Sequence, residues 1–208
     1  MLEKFCQRIT NYIRTKMPNI DDEKAETINF GLLVLFGEGP KLIILVLLAF
    51  WLDILFLTFV TLISMFIYRT QGGGFHLYGH IHCFVFSASI FCGTGLLAQA
   101  MSNLSMLIQY WIYILIFIFA MIVIDKYAPA DTKNIPMIRP KLRKRKRLGS
   151  YIAIILLYIF AVLISKNQVI SNICILVVFI QSLTMTKPAY IFFKCEYGEG
   201  TKQQLNMV

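Results

Sequence analysis

Charge is what this sequence has least of for its length. Charged residues make up 15% of the 208 and hydrophobic ones 58%, with a mean hydropathy of +0.68. Too little polar surface remains to cover a soluble domain of that size, so the chain reads as a polytopic membrane protein. Period-2 alternation is missing from the apolar runs, which excludes a closed barrel and leaves helices, since lipid offers the backbone no hydrogen-bond partner. There is no CxxC pair: Cys6, Cys83, Cys92, Cys174 and Cys195 are scattered and odd in number, which argues against a disulfide framework or a zinc ribbon. No internal repeat supports an inverted-repeat transporter, and the N-terminus has no apolar core with a small-residue cleavage site, so it does not read as a signal peptide. Acidic residues are scarce too, 11 against 20 Lys and Arg, for a net charge of +9. In a membrane protein that excess reports orientation first and an anionic lipid surface or acidic partner second, ahead of nucleic acid.

What is present is an all-α pattern: six transmembrane helices preceded by an N-terminal amphipathic interfacial helix, in one membrane domain covering 1–208. In residues 1–18, Leu2, Phe5, Ile9, Tyr12, Ile13 and Met17 recur at helical spacing opposite Lys4, Arg8, Arg14 and Lys16. Pro18 ends that helix and Asp21 can cap the next. Spans are expected over 28–51, 54–68, 84–101, 104–124, 148–165 and 169–186. The first is interrupted by Gly37-Glu-Gly-Pro-Lys41 and reads as one kinked helix in which Glu38 and Lys41 can pair. The second is short, so its ends are expected to extend into the flanking residues. Polar loops fall at 69–83 and 125–147, the latter holding Arg143-Lys-Arg-Lys-Arg147, and a polar tail covers 187–208. With both termini, both of these loops and most Lys and Arg on one side, the positive-inside rule assigns that side to the cytoplasm.

Chemistry-bearing residues collect in the stretch from Arg69 to Cys83, which contains Gly72-Gly73-Gly74 and all three histidines. A thiol attacks as its thiolate, which an imidazolium or a helix N-terminus stabilises, and Cys83 stands where the third span begins. If the residues before it are already helical, His76, His80 and Cys83 share a face and either histidine can act as base. The glycines would let a backbone approach a substrate and offer N–H groups to an oxyanion. Arg69 can neutralise a carboxylate or fix the loop. Weighed against catalysis is zinc binding by His76, His80, His82 and Cys83 in a metal transporter or scaffold; His82 and Cys83 are chain neighbours that would point apart on a helix, which makes this the weaker reading.

Arg69, then Gly72-Gly-Gly-Phe-His76, then Cys83 seven residues on, resembles the signature of the accessory gene regulator B (AgrB) family, membrane peptidases of Gram-positive quorum sensing. Tyr127-Ala-Pro-Ala-Asp-Thr-Lys-Asn-Ile-Pro136 is similar to the family's second recurrent stretch. The resemblance implies Cys83 as nucleophile and His76 as its base, with Arg69 and Gly74 required for activity; His80 and His82 match no assigned position. It further implies that Lys133 contacts substrate and that Asp125 or Asp131 orients His76, while Glu38 remains a candidate from its depth in the first span. The implied substrate is an autoinducer propeptide with an amphipathic leader and an acidic C-terminal tail, cleaved before the tail and cyclised to a thiolactone or lactone. Expected partners are that propeptide, the bilayer of a bacterial cell membrane and a second copy in a homodimer. No metal, no cofactor and no nucleic acid is called for. Cys6, Cys92, Cys174 and Cys195 are expected to be inert.

Overall fold

The computed structural model describes residues 2–17, 21–75, 77, 79–133 and 136–206, and the side chains of all of these but Leu2, Val34, His80 and Asn206. Among the described residues there is no strand, and the helices run in the order α1 Leu2–Lys16, α2 Asp22–Trp51, α3 Leu55–Gly72, α4 His80–Met101, α5 Met106–Tyr127, α6 Pro140–Leu163, α7 Gln168–Met185, α8 Lys187–Phe192 and α9 Glu199–Asn206. Six of them, α2 to α7, are long and apolar enough to cross a membrane. The chain divides into two compact units, Met1–Asp53 and Ile54–Val208.

In the first unit, α1 is amphipathic and turns Cys6 and Thr10 inward, with the Thr10 hydroxyl donating to the Cys6 carbonyl at 3.0 Å. Phe5 meets Phe36 of α2 edge-on, ring centroids 5.4 Å apart. Asp21 caps α2 by accepting from the Lys24 N–H at 2.8 Å, as its side chain is suited to do. Pro18 lies outside the described residues. The α2 helix continues through Pro40, and Lys41 pairs with Glu38 at 2.6 Å across an i,i+3 spacing.

In the second unit the helices overrun their apolar cores. α3 continues through Gly72, α4 begins at His80, and α6 begins at Pro140, with the Arg143–Arg147 run inside it. Each extension adds one backbone hydrogen bond per residue without a new nucleation cost, and Pro140 at the first position suits a helix start. The stretch expected as a basic loop over 125–147 is therefore loop only between Tyr127 and Pro140, and the polar tail contains α8 and α9.

α7 is the hub, in contact with α3, α4, α5 and α6. Its residues from Ser171 to Val178 are buried all round. Because lipid is as apolar as Leu, helix association here depends on packing and interhelical hydrogen bonds. Asn172 supplies two: its amide donates to the Ala98 carbonyl at 3.1 Å, and its oxygen accepts from the Tyr113 hydroxyl at 2.6 Å. Ser171 donates to the Ala161 carbonyl at 2.6 Å, and Ser182 is 3.0 Å from the Tyr68 hydroxyl.

Asn172→Val leaves the Tyr113 hydroxyl and the Ala98 carbonyl without that partner and should cost about 1 kcal/mol. Denaturation of the protein in mixed micelles should show the loss; Leu176→Ile, on the same helix without polar partners, should cost less.

Candidate functional site

The site is assembled from the polar end of α3. Gly73 follows the helix at φ 73° and ψ −146° and returns its N–H to the Arg69 carbonyl at 3.0 Å. It then pairs with Ala130 in an isolated parallel bridge: the Gly74 N–H donates to the Ala130 carbonyl at 2.9 Å and the Ala130 N–H to the Gly72 carbonyl at 2.8 Å. Two glycines are needed here for separate reasons. A Cβ on Gly73 would overlap the Ala130 carbonyl, whereas one on Gly74, at φ 132°, would come within 2.7 Å of the Thr184 hydroxyl and 3.4 Å of Arg69 Nη1.

Arg69 sits under this loop. Its Nη2 donates to the Phe75 carbonyl at 2.7 Å and its Nη1 to Gln181 Oε1 at 3.3 Å. Gln181 in turn donates from Nε2 to the Gly73 carbonyl at 2.6 Å, and the Phe75 N–H reaches the Thr184 carbonyl at 3.3 Å. Of the two roles open to Arg69, fixing the loop is the one its hydrogen bonds perform. No carboxylate lies within ion-pair distance of it among the described residues, so its charge is not neutralised there. Gln181 and Thr184 were not picked out from the sequence. Two polar residues three apart near the end of an otherwise apolar span were the available signal.

The loop is tied to α4 through aromatic rings. Phe75 is buried and stacks on Phe193 at 4.7 Å, and it also meets Phe86 at 5.5 Å. Phe86 lies one helical turn beyond Cys83. Cys83 itself is half-buried in the first turn of α4, its N–H bonded to the Gly79 carbonyl at 3.1 Å. That helix has Gly79 at its N-cap, φ 91°, and among the described residues no side chain caps it. Its first N–H groups and the positive end of its dipole are therefore at hand for an anion. Arg69 lies within electrostatic reach of Cys83. An apolar cavity of about 640 Å³ runs along the same α4 face, since Phe86, Ile90, Gly93 and Leu97 follow Cys83 at helical spacing.

α4 starts at His80, with Gly79 outside the helix; His76 lies outside the described residues, as does the His80 side chain. His82 is exposed. Among the described residues no group of three His, Cys, Asp or Glu could hold a metal. Asp125, at the end of α5, is exposed. Asp131 is buried, and its carboxylate accepts from the backbone N–H groups of Met137 at 2.8 Å and Thr201 at 2.9 Å; none of its described donors comes from the Arg69–Cys83 stretch. Lys133 is paired with Glu196 of the tail at 3.4 Å. Glu38 belongs to the first unit, paired with Lys41. In the basic run, Lys146 donates to the Thr70 carbonyl at 2.7 Å and Arg147 to the Ala128 carbonyl at 3.1 Å, both holding backbone.

The profile of the family Accessory gene regulator B (AgrB) matches residues 6–185. The chain belongs to the AgrB family. Among similar proteins, Accessory gene regulator protein B of Staphylococcus aureus (strain Newman) is 30% identical over 151 residues, 73% of this chain and 77% of that protein. An AgrB-like protein of Clostridium perfringens (strain SM101 / Type A) is 27% identical over 167 residues, 79% of this chain and 77% of the relative. No solved structure matches. The match to AgrB places the chain in the accessory gene regulator systems of quorum sensing, and the six apolar helices agree with a multi-pass membrane protein.

The two glycine environments give a graded expectation. Gly73→Ala must move backbone and should destabilise this AgrB protein by about 1–3 kcal/mol. Gly72→Ala meets the flexible end of Met185 and should cost less, as thermal unfolding in detergent would show. A second expectation concerns Cys195, whose thiol burial pushes up. A raised pKa means less thiolate at neutral pH, so its alkylation should be slow at pH 7.5 and climb through pH 9 and above; mass spectrometry with a Cys195→Ser control would measure it.

Proposed function

We propose that this protein is a membrane cysteine endopeptidase and peptide cyclase, acting on an autoinducer propeptide at the cytoplasmic face of a bacterial cell membrane. One observation carries the reading: Cys83 occupies the uncapped first turn of α4, within electrostatic reach of an Arg69 whose hydrogen bonds go to neutral acceptors. A sulfur anion, or the oxyanion of a tetrahedral intermediate, is the species that such a setting favours.

In the first half-reaction the Cys83 thiolate attacks the carbonyl carbon of the bond before the propeptide's tail. The C–N bond breaks, His76 as imidazolium gives its proton to the departing amine, and the tail leaves with a thioester on Cys83. In the second half, a thiol of the propeptide, or a hydroxyl in lactone-forming substrates, gives its proton to the now neutral His76 and attacks the thioester carbonyl. Cys83 departs as thiolate and the ring closes. The assignment of His76 as base comes from the family signature. Arg69 and Gly74 hold the loop, Arg69 adding positive potential at the reacting sulfur.

Substrate capture follows from charge and amphipathicity. Lys141, Lys144 and Arg145 are exposed on the first turns of α6, a basic surface suited to an acidic tail, and an amphipathic leader would lie on the same leaflet. Positive-inside bias puts that surface, both termini and Cys83 in the cytoplasm. A homodimer is the assembly expected. No observation favours the zinc-binding alternative.

With purified protein in liposomes and a propeptide carrying an amphipathic leader and an acidic tail, Cys83→Ala should abolish tail release, while Cys92→Ala should cleave like the parent. Tail release by Cys83→Ala at the parent rate would refute the assignment. Arg69→Lys cannot reproduce the forked contacts to Phe75 and Gln181, so kcat/KM should fall by about tenfold or more.

A further inference from the structure

Residues 129–132 are held from two opposite sides. Towards the site, Ala130 is bonded to Gly72 and Gly74. Towards the tail, the flanking residues carry a dense set of contacts. The Asp131 carboxylate serves as an N-cap for α9, a different segment of the chain, accepting from the N–H groups of Gly200 at 3.2 Å and Thr201 at 2.9 Å and from the Thr201 hydroxyl. A carboxylate at a helix N-terminus satisfies orphan donors and complements the dipole. The Asp131 backbone adds two more: its N–H donates to Thr201 Oγ1 at 3.0 Å, and its carbonyl accepts from the Gly198 N–H at 3.2 Å.

The aromatic residues lock the same joint. Tyr197 bridges to Thr132, donates its hydroxyl to the Met185 carbonyl at 2.8 Å, and stacks on Tyr190 at 3.9 Å. Tyr190 donates to the Asp131 carbonyl at 3.2 Å and packs edge-on against Phe75. Burial pushes both phenols up, away from ionisation. Arg143 completes the clamp: its Nη2 donates to Gln204 Oε1 at 2.7 Å, and its Nη1 lies 3.8 Å from Asp131 Oδ2. The fit leaves no room for a methyl group, since a Cβ on Gly200 would overlap the Met137 carbonyl.

We infer that tail residues 197–204 are a positioning element of the Cys83 site, acting through Asp131 and Ala130 on Gly73, Gly74 and Arg69. The tail touches no reacting atom. It fixes the backbone against which the Arg69 loop is zipped. The catalytic half of this inference rests on the peptidase reading; the mechanical half does not.

Two variants of the full-length protein dislodge α9 by different means: Gly200→Ala by a steric wedge, and Thr201→Val by removing the hydroxyl that bonds Asp131. Thr201→Ser keeps that hydroxyl and is the rescue. Hydrogen exchange in detergent should show amides of residues 72–75, 128 and 130–132 exchanging about tenfold faster in both variants, with α5 to α7 unchanged and Thr201→Ser like the parent. Faster exchange at 199–204 with 72–75 unchanged overturns the inference, and so does a failure of both variants to loosen 199–204. In the liposome assay, kcat for tail release should fall about fivefold or more with KM within about twofold, the split expected when ground-state binding is retained. An unchanged kcat with a loosened loop also overturns it. If the parent itself releases no tail, the peptidase reading fails alone, and the exchange result still decides whether the tail holds the loop.

Discussion

The guanidinium of Arg69 is the interaction on which the 72–75 loop of the second unit depends. A partly buried cation can be satisfied by a carboxylate, which cancels its field, or by neutral acceptors, which fix its geometry and leave its charge largely intact. Arg69 takes the second course: a backbone carbonyl from Phe75 and an amide oxygen from Gln181. The positive potential that remains lies beside the first turn of α4, where an uncapped helix N-terminus adds potential of the same sign. The hydrogen bonds that hold this cation in place also hold the loop. Geometry and electrostatics therefore have the same origin here.

That arrangement requires α7 to be polar at one end. Through its middle the helix is a packing hub, with Asn172 and Ser171 binding neighbouring helices. At the Arg69 end, Gln181 accepts from Arg69 and donates to Gly73, so one amide satisfies the cation and the loop at once. Thr184 limits the room at Gly74. An apolar residue at 181 would leave both the Gly73 carbonyl and one guanidinium nitrogen without these partners, a penalty that a low-dielectric setting enlarges. The most buried helix is thus also the one that shapes the loop.

Helix number and order were legible in the sequence because hydropathy and the demand for internal backbone hydrogen bonding act locally. The Asp21 cap and the Glu38–Lys41 pair were legible for the same reason: each joins residues three apart. Helix bounds were read too narrowly, since polar residues such as Arg69 to Gly72 and Pro140 to Arg147 extend α3 and α6 beyond their apolar stretches. The Gly73–Ala130 bridge and the Asp131 clamp were not legible. They join positions 57 to 70 residues apart, and nothing local marks Thr201 or Gly200 as a partner of Asp131. The tail was read as featureless for the same reason. Of the site residues, Arg69, Gly74 and Cys83 were named for their spacing and the family signature, whereas Gln181 and Thr184 carried only the weak signal of polar residues in an apolar span.

The two flanks of Cys83 are chemically unlike, and this bears on the fate of any acyl group carried there. On one side, the cavity along α4 is walled by Phe75, Phe86 and Phe193 and continues towards Leu97, offering water few hydrogen-bond partners. On the other, the loop carries the Arg69 cation, while its own N–H groups at Gly73, Gly74 and Phe75 are bonded within the protein. A thioester exchanges with a thiol at little thermodynamic cost but is lost irreversibly to water, so its useful lifetime depends on keeping water scarce while a tethered nucleophile stays close. An apolar wall along the face of α4 that carries Cys83 serves the first of these demands without a moving part. Under the proposed reaction that wall would matter more to ring closure than to tail release, because only the second half-reaction would have water as its direct competitor.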